Sequence, residues 1–375
     1  MNLTRPILAT ALGLGATLGT LGLASQAGAV GSGHALFLLT GGSGANKVLT
    51  YQRASDGSVS YVGATFTRGQ GAIAAGAMAD PLASQDGLVL ADNNKVLVAV
   101  NAGSDTVTVF SVNGTSLRRT EVIGSGGLFP SSIAVHGSTV AVLNSGGAGS
   151  VAEFTLNNGT LTAKPGEVRS LGLSNTTPPG FVAGPGQVGF SPDGTHLIVA
   201  AKHSIDAFEV FNISGNGVLG TTPVRTSSQV PVPFAFSFDP SGHLVDVEAG
   251  NSSLSTYTVN PNGSLSAIGT VSDGAKALCW LAGAQGYWFG SNAGSGTVSS
   301  FSVNSSGTPS LVNATAATTH PGSTDETVSP DGKVLYVESG GTGAIDAFSI
   351  GSGGALSPIE TVWNLPVASE GIAAS

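Results

Sequence analysis

Three stretches of the chain repeat one pattern: Gln187 to Ile213 (QVGFSPDGTHLIVAAKHSIDAFEVFNI), Phe234 to Val259 (FAFSFDPSGHLVDVEAGNSSLSTYTV) and Glu326 to Ile350 (ETVSPDGKVLYVESGGTGAIDAFSI). Each reads as a short apolar strand, a tight turn, a longer strand, a polar break and a third alternating strand. In the turn Pro192-Asp193-Gly194, Pro presets φ, Asp bonds the local backbone and Gly takes the positive φ. The flanking runs are β-branched and alternate at period two, as antiparallel strands with a buried face do. A repeat of this kind predicts stacked supersecondary units in one ring or row.

The repeats can be counted from the aromatic near the end of each third strand: Tyr51, Phe110, Phe154, Phe211, Tyr257, Phe301 and Phe348. The intervals are 59, 44, 57, 46, 44 and 47 residues, and the short ones match four-stranded propeller blades of about 40 to 50 residues. The two long ones contain insertions, Arg68 to Gln85 and Arg169 to Gly186, which read as loops. The expectation is an all-β, seven-bladed β-propeller of four-stranded antiparallel blades. The first unit begins at Ala35 without a first strand, and the tail Glu370 to Ala374 looks like that missing strand. Pairing the two closes the ring and leaves no inner sheet edge open.

Composition agrees with this reading and narrows the partners. Of 375 residues, 56 are Gly and 9% are charged, as many tight turns and few solvated helices require. The net charge of −9 and the lack of a basic stripe exclude a nucleic-acid partner. Residues 1–29 read as a signal peptide, with Arg5, an apolar run from Ile7 to Leu23, and the cleavage site Ala27-Gly28-Ala29. The expected mature protein is thus secreted, a single domain over residues 30–375, a monomer, with no later transmembrane span. The lone Cys279 reads as a buried strand thiol. Eight Asn-x-Ser/Thr tripeptides beyond residue 29 are read as turn chemistry before glycan acceptors.

The SPDG turns at Ser191 to Gly194 and Ser329 to Gly332, the variant Asp239 to Gly242, and the strand breaks Asn101-Ala102-Gly103-Ser104-Asp105 and Asn292-Ala293-Gly294-Ser295-Gly296 carry a resemblance. The chain resembles the lactonase-like seven-bladed propellers, the family of propeller-type 6-phosphogluconolactonase and the carboxymuconate-lactonizing enzymes, with YncE-like and surface-layer propellers as relatives. The resemblance implies a lactone substrate in the central funnel and His and Arg residues around it, one His preceding the first strand of a blade. Here the corresponding positions read Pro185-Gly186-Gln187 and Pro233-Phe234-Ala235, and only His320-Pro321-Gly322 keeps the His.

In a propeller the breaks between second and third strands share a face with the links entering each first strand. That face collects Lys202, His203, Glu248 and Glu338 from the breaks, and Lys276, His320, Asp325, Glu326 and Glu370 from the links. In so weakly charged a chain this set is the candidate site. As an enzyme, Glu248 or Glu326 would activate water, while Lys202, His203 or His320 stabilises the oxyanion or protonates the leaving oxygen. A divalent cation held by Glu248 and Glu338 is the alternative to the cationic side chain; no other cofactor is expected. The rival to a lactone hydrolase or lactonizing enzyme is a non-catalytic extracellular propeller binding a glycan, peptide or cell-wall component on the same face.

Overall fold

A computed structural model describes residues 34–375, so the predicted signal peptide lies outside the described residues. Seven four-stranded antiparallel sheets form, and each first strand packs against the first strands of both neighbouring blades, so that these seven strands line a ring. Among the described residues the one helical element is a 3-10 turn, Ser352–Gly354. The seven counted aromatics all fall on third strands, from Tyr51 in Gly44–Arg53 to Phe348 in Ala344–Ile350.

Closure follows the expected route. Ile372–Ala374 is the inner strand of blade one and pairs antiparallel with Ala35–Leu39, Leu36 opposite Ala374 and Leu38 opposite Ile372. Ser375 extends the seam, since its Oγ accepts the Ala35 N–H at 2.9 Å and its N–H reaches the Ala35 carbonyl at 2.9 Å. Period-two alternation supplies the core: each strand sends alternate apolar side chains to opposite neighbours. Leu197 and Val199 pack toward blade three, Ile198 and Ala200 toward blade five.

The Asp residues of the SPDG turns are turn formers. Asp193 Oδ1 accepts from Ser191 Oγ at 2.7 Å and from the Thr195 N–H at 3.1 Å, and these bonds hold its carboxyl down at about 2. The variant turn of blade five is one residue shorter. The Asp239 N–H reaches the His243 carbonyl, whereas Ser191 and Ser329 reach His196 and Val334. A one-residue slip exchanges the two faces of the following strand, and it decides where Glu248 points.

Candidate functional site

The first insertion does not stay on the surface. Arg68 to Gly71 extend the outer strand Val59–Gly71 of blade one, and the chain then turns inward. Asp80, Leu82, Ala83, Ser84 and Gln85 are all buried. Ser84 Oγ donates to the Ser131 carbonyl of blade three at 2.8 Å, while the Ser84 carbonyl accepts from Trp280 Nε1 of blade six at 3.0 Å. Gln85 pairs with blade six through both ends of its amide, donating to the Leu281 carbonyl at 3.0 Å and accepting its N–H at 2.9 Å. Its own N–H bonds Gly186, at the entry to blade four. Partners on opposite sides of the ring mean that Asp80 to Gln85 crosses the axis and plugs the funnel. Main-chain groups that would otherwise be stranded in the channel are thereby paired, which buried polar atoms require.

The second insertion folds over the first. Ala75 and Gly180 form a parallel bridge, with Ala75 N–H to the Pro179 carbonyl at 2.8 Å and Phe181 N–H to the Ala75 carbonyl at 2.9 Å. Between the insertions and the mouths of blades four to seven lies a pocket of about 650 Å3. Its walls are Met78, Phe181, Val182, Val232, Phe234, Ala249, Ala277, Cys279, Trp280 and Ala293, and its charged lining residues are Asp80 and Lys202. Clefts of about 530 and 690 Å3 between the turns at the other end of the blades are lined by turn-forming residues such as Asp193 and Asn158.

Lys202 is the candidate residue that reaches this pocket. It is 1% exposed, donates to the Ala83 carbonyl of the plug and to the Phe181 carbonyl at 2.9 Å, and lies 4.7 Å from the Phe234 ring centre. Burial pulls its ammonium down to about 8, against the opposing pull of Asp80, Cys279 and Glu370. The Asp80 and Glu370 carboxyls face each other, and burial raises both. Asp80 Oδ1 accepts from the Ala83 N–H at 2.8 Å, and Glu370 Oε1 accepts from the Ser84 N–H at 3.1 Å. Like charges so placed disfavour two ionised carboxylates, and Asp80 Oδ2 has no hydrogen-bond partner. Cys279 is buried as expected, and burial raises its thiol well above the ordinary range.

The other candidates are dispersed. With the shortened turn, Glu248 shares a face with Leu244 and points toward blade four, bonded to Tyr257 Oη at 2.7 Å, the Gln229 N–H at 3.0 Å and Ser255 Oγ. Glu338, with Val334 and Tyr336, faces blade one beside Ser369 and the main chain of Gly371. The two carboxylates therefore belong to different blade interfaces and cannot share an ion. Among the described residues no group of three or more His, Cys, Asp or Glu is arranged around one metal. Glu326 faces blade six and accepts from Ser291 Oγ. His203 is exposed and paired with Asp206 at 3.2 Å. His320 bonds Asp346 at 2.9 Å with its ring edge on Trp363, at the outer strand of blade seven. The expected single rim of charges is thus replaced by Lys202, Asp80 and Glu370 around the plug. Asp80, Phe181 and Trp280 were not singled out from sequence; the placement of the two insertions hinted at Asp80 and Phe181, and Phe234 stands where the resemblance placed a His.

Fold and site together define a closed seven-bladed propeller with a ligand-sized pocket at one mouth. Residues 245–367 match the family model described as "Lactonase, 7-bladed beta-propeller", which bears out the resemblance to the lactonase-like propellers. No curated protein matches the chain by sequence. Among solved structures, a Bacteroides fragilis protein provisionally described as a 6-phosphogluconolactonase is 18% identical with a TM-score of 0.72, over 92% of this chain and 99% of its own. A Bacteroides uniformis protein of the same description is 17% identical with a TM-score of 0.72, over 92% and 100%. The periplasmic gluconolactonase of Pseudomonas aeruginosa is 16% identical with a TM-score of 0.66, over 91% and 98%. These likenesses establish a shared fold.

Proposed function

We propose that the protein is lactonase-like and holds a small lactone in the pocket above the plug. The observation that carries this reading is Lys202. A lysine ammonium has three N–H donors; two are given to main-chain carbonyls, which leaves one for a ligand. A fixed cation in a water-poor, apolar cleft stabilises a developing oxyanion far better than one in bulk water. In the hydrolytic cycle Lys202 would bind the lactone carbonyl oxygen, water would add to the carbonyl carbon, and the Asp80–Glu370 pair would take the proton. The ring oxygen then leaves with a proton, giving the hydroxy acid.

The test is a pH-stat assay of purified protein on a panel of lactones, comparing wild type with Lys202→Met and Glu248→Gln. Lys202→Met should lower turnover by roughly 100-fold or more, whereas Glu248→Gln, between blades four and five, should retain it. Equal rates for wild type and Lys202→Met would refute this assignment. The plug supports the second reading, a non-catalytic binding propeller, because it fills the space where a funnel substrate would descend. Under that reading ligand binds and nothing turns over. Export is proposed on residues 1–29: the N-terminus of secreted material should begin near Val30, and retained Met1 would contradict it. Among the described residues no helix is long and apolar enough to cross a membrane.

A further inference from the structure

The pocket has far more apolar wall than free hydrogen-bonding capacity. Phe181, Val182, Phe234 and Trp280 form its sides, and Met78 stands wholly exposed at its rim. Few free polar groups reach it. Trp280 Nε1 is bonded to the Ser84 carbonyl and two Lys202 protons go to Ala83 and Phe181, while Asp80 Oδ2 and Ser323 Oγ have no hydrogen-bond partner. One N–H of Lys202 remains, which suits one carbonyl oxygen. A sugar lactone brings more hydroxyls than Asp80 Oδ2 and Ser323 Oγ can pair, and those left without partners in a desolvated cleft oppose binding. A phosphoryl group would add negative charge beside Asp80 and Glu370, with Lys202 the sole cation in the lining among the described residues.

We infer that the pocket selects a neutral ligand with one carbonyl and an alkyl chain or apolar ring beside it, and excludes polyhydroxylated and phosphorylated sugar lactones. The inference rests on the reading that this pocket is the site. The carbonyl oxygen meets Lys202, and the chain lies along Phe234, Trp280 and Val182 toward Met78. A volume of about 650 Å3 is ample for a lactone ring with a chain.

Binding is measured so that it stays separate from catalysis. Purified protein is titrated with δ-valerolactam and its 6-alkyl homologues, which resist hydrolysis, and with gluconolactam and its 6-phosphate, by calorimetry and tryptophan fluorescence. Affinity should rise roughly fourfold per added methylene until the chain leaves the pocket, and the sugar lactams should not saturate. Val182→Asp, a change on a half-exposed wall residue, should abolish the chain-length dependence. Affinity independent of chain length, or tighter binding of either sugar lactam, would overturn the inference while leaving the lactonase-like reading in place. Chain-length-dependent binding of the lactams with no turnover of the matching lactones would uphold the inference and sink the lactonase-like reading.

Discussion

A chain lacking Glu370 to Ser375 should not yield a soluble monomeric propeller. The deletion removes the inner strand of blade one, whose bonds run from Leu39 N–H to the Gly371 carbonyl at 2.8 Å through to the Ser375 seam. Ile372 and Ala373 leave the core with it, and Ala35–Leu39, wholly buried and apolar, becomes an open inner edge. Glu370 also stops accepting the plug's Leu82 and Ser84 N–H groups, so the channel filling loses an anchor. Loss of a strand's ladder, its side chains and a buried carboxyl network together places the cost above about 5 kcal/mol, beyond the usual range of point changes. Size-exclusion chromatography should show aggregate, since open edges recruit other chains. A truncated protein that elutes as a monomer and melts with the full chain would show that the tail contributes nothing to closure.

The second large effect is a loss of stability as pH rises. Burial raises Asp86 to about 6 and Glu326 and Glu338 to about 8, and it lifts Asp325, Asp246 and Glu370 well above the carboxylate range. In the unfolded chain these groups ionise near 3.8 or 4.5. A raised folded value means that the native state holds more protons, so stability is full below the unfolded values and is lost as pH climbs through the folded ones. Lys202, lowered to about 8, bends the curve the other way only above that pH. Asp193, Asp56 and Asp331 are lowered by turn bonds and lose their contribution below about pH 4. The melting temperature should therefore peak near pH 4 and fall steadily to pH 8. Each pH step is worth up to about 1.4 kcal/mol per titrating group. Glu326→Gln and Glu338→Gln should each flatten part of that slope. A melting temperature that is flat or rises between pH 5 and pH 8 would contradict the protonated state of this interior.

The architecture was legible because it rests on local signals repeated seven times. Turn chemistry, alternation and the spacing of third-strand aromatics each report on a single blade, and their recurrence fixes the count. The site was less legible because it depends on which face a residue shows and where a loop goes. Glu248 and Glu338 look equivalent in sequence, yet the shorter Asp239–His243 turn moves the blade-five strand by one residue and turns Glu248 toward blade four. Asp80 to Gln85 reads as a surface insertion, but its partners, Ser131, Gly186, Trp280, Leu281 and Glu370, lie 47 to 288 residues further on, and no local pattern announces them. Lys202 was found because a lysine at a strand break is rare in so weakly charged a chain. Its burial and its plug contacts needed the fold.

The account turns on the plug: it floors the pocket, fixes Lys202 and replaces an open funnel. Hydrogen–deuterium exchange of the amides from Leu82 to Gln85 in the wild-type protein tests it directly. Buried, with Leu82 and Ser84 bonded to Glu370, Ala83 to Asp80 and Gln85 to Gly186, these amides should exchange as slowly as the inner strands beside them, such as Leu278–Ala284, and far more slowly than an exposed loop. Exchange of this segment at loop-like rates, with the inner strands still protected, would mean that the channel is open and that the site has no floor.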